Sequence, residues 1–251
     1  MIQNVREYVE PFVTLGIPIE YEKIQLFPFT VAQWYDFSCT IDVFTINKNE
    51  IPDIKIIQMS YLQYIVEILF ADESMKDIWK QKFYLLLHGS TQIDLDKIGV
   101  LVQNGKYYLQ VDGVIINATQ FEELRRIILY QNISGYDDTP MSADFKKVWN
   151  EYVQLKNRNI ESPSLKIKIA TVQSLCGFSK KEIMDMTLLN FEDVFDSAIT
   201  WEEYRINHTA ETGGMVKFNK PVEHPVFHKH HDKYADMFVN ADEYAKKLTS
   251  I

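Results

Sequence analysis

A chain of 251 residues is long enough for one large domain or two small ones, and its formal net charge of -9 works against phosphate backbones, so nucleic-acid binding would need a concentrated basic patch. With only 9 Gly and 8 Pro against 46% apolar residues, composition excludes a disordered chain and a many-turned all-β fold. The 15 Phe, 14 Tyr and 4 Trp can fill a sizeable core.

The first thirty residues read as irregular, with short extended segments at Ile17-Pro18-Ile19 and Ile24 to Phe29, because each proline biases its predecessor toward β. Thr30 and Gln33 form a capping box that opens a helix through Trp34, Phe37, Ile41 and Phe44, a stripe expected in the core. Asn47 to Glu50 is a polar helix–helix turn closed by Pro52. A second helix carries Ile54, Ile57, Met59, Leu62, Ile65, Val66 and Leu69. A third runs from Ser74 to Leu87, with Gly89 just past its end as a C-cap.

The pattern then changes. Asn104-Gly105 and Asp112-Gly113 punctuate Ile98–Val102, Lys106–Val111 and Val114–Ile116, which predicts a three-stranded antiparallel meander leaning on helices. Thr119 and Glu122 form a second capping box, opening a helix through Leu124, Ile127, Ile128 and Tyr130. Further helices are expected over 142–157, over 164–175, after a Ser179–Glu182 cap that follows Gly177, from Asn190 to about Thr209, and over 230–248, with Met215–Phe218 extended. The fold class is thus mainly α with a small antiparallel β-meander (α+β). It divides into an N-terminal helical region over 1–90, the meander over 91–118 and a C-terminal helical region over 119–251, packed as one compact unit or two close ones.

Cys39 and Cys176 each sit among apolar residues and read as buried free thiols. The N-terminus lacks the pattern of a secretory signal, and no apolar run reaches about 18 residues, so no membrane association and a cytoplasmic location are expected. The basic stretch from Lys146-Lys147 to Lys156-Asn157-Arg158 is diluted by Asp144 and Glu151 and reads as a solvated helix face rather than a nucleic-acid site.

Catalytic patterns are sparse. There is no nucleophile elbow, no Gly-rich phosphate loop after a strand and no CxxC pair. Glu211 to Met215 reads as a C-cap turn. One cluster has metal-ligand chemistry: four of the six histidines, His224, His228, His230 and His231, fall within eight residues, with Glu223 and Asp232 beside them. Pro225 argues for a loop there, and no second ligand-bearing segment accompanies it, so a polar loop is the expectation and a metal site the alternative. No cofactor is expected.

The block Ile46-Asn-Lys-Asn-Glu-Ile-Pro-Asp-Ile-Lys-Ile-Ile-Gln-Met-Ser-Tyr-Leu62 resembles a segment of phage and prophage proteins encoded among tail and baseplate genes. Pro28-Phe29-Thr30 before it, Phe121–Asn132 and Leu175–Phe191 after it, then Gly214–Phe218 and the closing aromatic helix follow the same order, so the resemblance covers most of residues 25–245. Such proteins resemble tail assembly chaperones or baseplate hub assembly factors of tailed bacteriophages. The resemblance implies a non-catalytic protein that binds other phage tail or baseplate proteins in the host cytoplasm, with homo-oligomerisation open. The alternatives are a minor structural subunit of the virion and a metal-dependent enzyme using the His224–His231 cluster.

Overall fold

The computed structural model describes residues 2, 4–138, 148, 149, 151, 162–218 and 222–227. The expected helices over 142–157 and 230–248, and the basic stretch 146–158, lie outside the described residues but for a few positions. The fold is mainly α with two small antiparallel sheets. The chain clusters into two compact units, residues 1–196 and 197–251.

The first unit begins with a helix where irregular chain was expected. α1, Val5–Leu15, forms despite Pro11. Asn4 caps its start, and Val5 and Val9, one turn apart, are fully buried where α1 meets a central helix, α7, Ala118–Asn132. Gly16, in the left-handed region at φ 65°, ends α1 with two reverse bonds, Gly16 N–H to the Val13 carbonyl and Ile17 N–H to the Phe12 carbonyl. A tight hairpin follows, β1 (Ile19–Tyr21) with β2 (Ile24–Leu26), turning at Glu22 and Lys23, both at positive φ.

The chain after β2 threads between two helices. Phe27 N–H donates to the Ser90 carbonyl of α6 (Lys76–Thr91), and Phe29 N–H donates to Asn132 Oδ1 of α7 at 2.7 Å. The Thr30–Gln33 capping box forms as expected and leads through a 3-10 turn into α2 (Trp34–Thr40) and α3 (Asp42–Thr45). Phe37 and Phe44 are buried, but Trp34 is 41% exposed and lies off the core.

The single helix expected over residues 54–69 is broken. α4 (Ile54–Gln58) ends at Met59, where Ser60 adopts an extended backbone and its hydroxyl caps the N–H of Gln63, starting α5 (Tyr61–Tyr64). A π-turn over Ile65–Leu69 continues it. Gly89 is not the cap of α6: that helix runs on to Thr91 and stops at Gln92, at φ 58°.

The meander has the expected register. β3 (Ile98–Gln103), β4 (Lys106–Val111) and β5 (Val114–Asn117) are joined by Asn104-Gly105 and Asp112-Gly113, all four at positive φ. Leu109, Val111 and Ile116 are buried, and β4 packs on α5 and α7. α7 starts two residues before the expected box: Asn117 Oδ1 accepts from the N–H groups of Thr119 and Gln120, and Gln120 Oε1 accepts from Asn117 N–H. Phe44, Phe83 and Phe121 meet edge-to-face or tilted at 5.7–6.1 Å, and they form the centre of the core.

α8 (Leu165–Cys176) closes on left-handed Gly177, and α9 (Lys180–Asp185) starts from the expected Ser179–Glu182 box. α10 (Leu188–Thr212) begins two residues before the expected start, with Thr187 Oγ1 accepting the N–H of Asn190. Val31 N–H to the Met186 carbonyl and Leu188 N–H to the Phe29 carbonyl fasten this end to the N-terminal segment. Both cysteines, expected to be buried, are exposed, because the helices bearing them turn those positions outward.

In the second unit α10 ends at Gly213 and Gly214 with Met215 N–H bonded back to the Ala210 carbonyl. Residues 215–218 adopt no strand; that reverse turn takes up the chain instead.

Candidate functional site

The histidine cluster carries the metal alternative. His228, His230 and His231 lie outside the described residues. His224 lies on the turn before Pro225, where its Nδ1 accepts the Val226 N–H at 3.3 Å. Its ring stands edge-on to Trp201 (4.7 Å between centroids) and close to Tyr204 (5.0 Å), while Tyr204 stacks on His208. Glu211 accepts the Val222 N–H, so the segment is bound back along α10. These contacts give His224 a packing role. Among the described residues no three His, Cys, Asp or Glu side chains are placed to hold a metal ion.

The buried charges of the first unit are engaged in structure. Arg125, 8% exposed, donates to the Phe44 carbonyl and to Glu122, with its guanidinium 3.9 Å over the Tyr61 ring. Glu123 accepts from the Tyr21 hydroxyl at 2.8 Å and from Ile2 N–H. Burial lowers the pKa of Lys48, whose ammonium donates to the Ile57 carbonyl at 2.6 Å, at the end of α4. Arg125 and Glu123 join segments far apart in the chain, Lys48 ties its turn to the nearby end of α4, and each of the three meets protein partners.

Among the described residues an uncovered surface lies between α6 and β3. Gln81, Tyr84 and Leu85 of α6, Leu95 of the turn before the sheet, and Ile98 of β3 line an open groove of about 340 Å³. Burial raises the Tyr84 pKa, and its ring stacks on Phe70, which fixes one wall. Leu85, Leu95 and, two turns back along α6 from Leu85, Ile78 are 38%, 46% and 46% exposed.

β3 is also an edge of its sheet. In the two-residue hairpin the Gln103–Lys106 pair is hydrogen-bonded, and alternation then directs the backbone groups of Leu101 and Gly99 to β4. Those of Ile98, Val100 and Val102 point away from β4, and among the described residues no strand lies beyond them. Natural edges are blunted by charges, prolines or bulges. Ile98-Gly-Val-Leu-Val-Gln103 has none of the three, since its pairing with β4 is continuous. The other edge, β5, is shorter, and Asn117 N–H is already taken by Gln120 as the chain enters α7.

Sequence reasoning missed this groove. Its one signal was the uncharged β-branched run of β3, which is also what an inner strand looks like. Among the described residues no helix is long and apolar enough to cross a membrane. Compared with profiles of known protein families, with curated proteins and with solved structures, the chain matches none.

Proposed function

We infer that this chain is a non-catalytic bacteriophage protein that acts in tail or baseplate assembly by binding other tail proteins. The observation that carries the reading is the apolar groove beside an uncharged strand edge that no described strand covers, a surface suited to holding a segment of another chain. The resemblance of residues 46–62 to phage tail-region proteins supplies the setting.

The test is capture during infection. An affinity-tagged chain expressed in infected cells is expected to co-purify a tail or baseplate protein, and a Leu85→Glu variant is expected to lose it. Recovery of none of those proteins overturns the reading. Mass spectrometry of purified particles then separates an assembly factor, absent from the virion, from a minor structural subunit, present in it.

A further inference from the structure

We propose that the groove receives an extended segment of the partner as a fourth, antiparallel strand on β3, with apolar residues at alternate positions and a basic residue at its C-terminal end. This rests on the binding role inferred above and names the chemistry of the partner.

Ile98, Val100 and Val102 stand opposite Val111, Leu109 and Tyr107, and share with them the face turned toward α5 and α7. Ile98 lines the groove. A strand added at this edge would bond to the outward N–H and C=O groups of Val100 and Val102. Every second side chain would then point to the same face as Ile98 and drop between β3 and α6, onto Leu85, Tyr84 and Leu95. The intervening side chains would share the opposite face with Gly99 and Leu101, open to water. The demand is therefore apolar residues at alternate positions, with no demand on the others. An antiparallel arrangement continues the existing sheet and gives the straighter hydrogen bonds.

Charge fixes the end. Asp94 and Asp96 flank Leu95 and are exposed. Lys97, next in the chain, is paired with the Asp112 carboxylate at 3.4 Å. The Ile98 end of the edge is thus net negative, and an antiparallel strand brings its C-terminal end there. A lysine or arginine at that end would meet the two carboxylates, in a salt-dependent way because they are exposed.

The probe is a fluorescent peptide of about ten residues, enough to span the edge at roughly 3.3 Å per residue, alternating valine and threonine and ending in two lysines. It is titrated against the full chain by anisotropy. Binding is expected, with slowed amide exchange at Val100 and Val102. Two terminal glutamates in place of the lysines are expected to weaken binding at least tenfold, and Asp94→Asn with Asp96→Asn to abolish that difference. N-methylation of the peptide amides that face β3 is expected to abolish binding, while methylation of the alternate amides leaves it. That control changes only the peptide, so it stands whatever the variants do to folding. No binding, no protection at Val100 and Val102, or indifference to which amides are methylated overturns the proposal. If the peptide binds as stated but infected cells yield no tail protein, the strand site stands and the phage reading fails. If tail proteins are captured equally by wild type and Leu85→Glu and the peptide does not bind, the phage reading stands and the strand site fails.

Discussion

Phe29 turns the edge of its ring toward Gly89: a Cβ built there would stand 2.5 Å from one ring carbon and 2.6 Å from the next. The ring cannot retreat easily, because Phe37 packs against it at 5.0 Å and its own N–H is held by Asn132. A glycine inside a helix costs about 0.5–1 kcal/mol relative to alanine, so Gly89→Ala would help α6 in isolation. Overpacking typically costs about 1–3 kcal/mol. The steric term wins, and Gly89→Ala is expected to lower stability in urea denaturation. An unchanged or raised midpoint would show that Phe29 moves freely.

Arg125 is expected to be the most sensitive charged residue. Arg125→Ala removes a donor to the Phe44 carbonyl, strips Glu122 of its cation and empties the space over Tyr61. Losing one partner of a buried ionic set costs about 3–5 kcal/mol. The Tyr61 hydroxyl also donates to the Phe44 carbonyl, at 3.3 Å, which places the expected loss at the lower end. Arg125→Lys is expected to recover little of it, because an ammonium cannot reach both oxygens of Glu122 and the carbonyl at once. Denaturant midpoints of the two variants check this.

What could be read from the sequence was what short-range chemistry decides. The meander was legible because Asn104-Gly105 and Asp112-Gly113 demand the positive φ that two-residue hairpins require. The Ser179–Glu182 box was legible for the same local reason. α1 was not: Pro11 and the β-branched valines weigh against a helix, and what holds it is the burial of Val5 and Val9 at the contact with α7, more than a hundred residues on. In α7 the apolar stripe was plain, but nothing local says that Glu123, Arg125, Gln131 and Asn132 are buried too. The groove was hidden because Ile78 and Leu85 enter a helical periodicity just as core residues do. Only the placement of α6 beside β3 leaves them uncovered.

The thiols provide a direct check on exposure. Cys39 and Cys176 are both exposed and unpaired with each other. Both are expected to react with an aromatic disulfide reagent in native buffer, giving a stoichiometry of two without denaturant. A native stoichiometry of zero that rises only on unfolding would restore the burial that the sequence suggested.

Alkaline pH is expected to destabilise the fold through its tyrosines. Burial and the hydrogen bond to Asp138 push Tyr130 up to about 12, and burial with the Glu123 bond raises Tyr21. The folded state therefore holds these protons more tightly than the unfolded chain, whose tyrosines titrate near about 10. Their contribution is complete below about pH 10. It falls as pH rises above that value, because only the unfolded chain ionises, and for Tyr130 it is spent once the folded group titrates near 12. Urea midpoints are expected to be flat across neutral pH and to decline from about pH 10 upward. Tyr130→Phe removes one of these protons, so it is expected to start less stable, having lost the bond to Asp138, yet to decline less steeply. The change in slope separates proton linkage from simple loss of packing, and equal slopes in both proteins would refute the assignment.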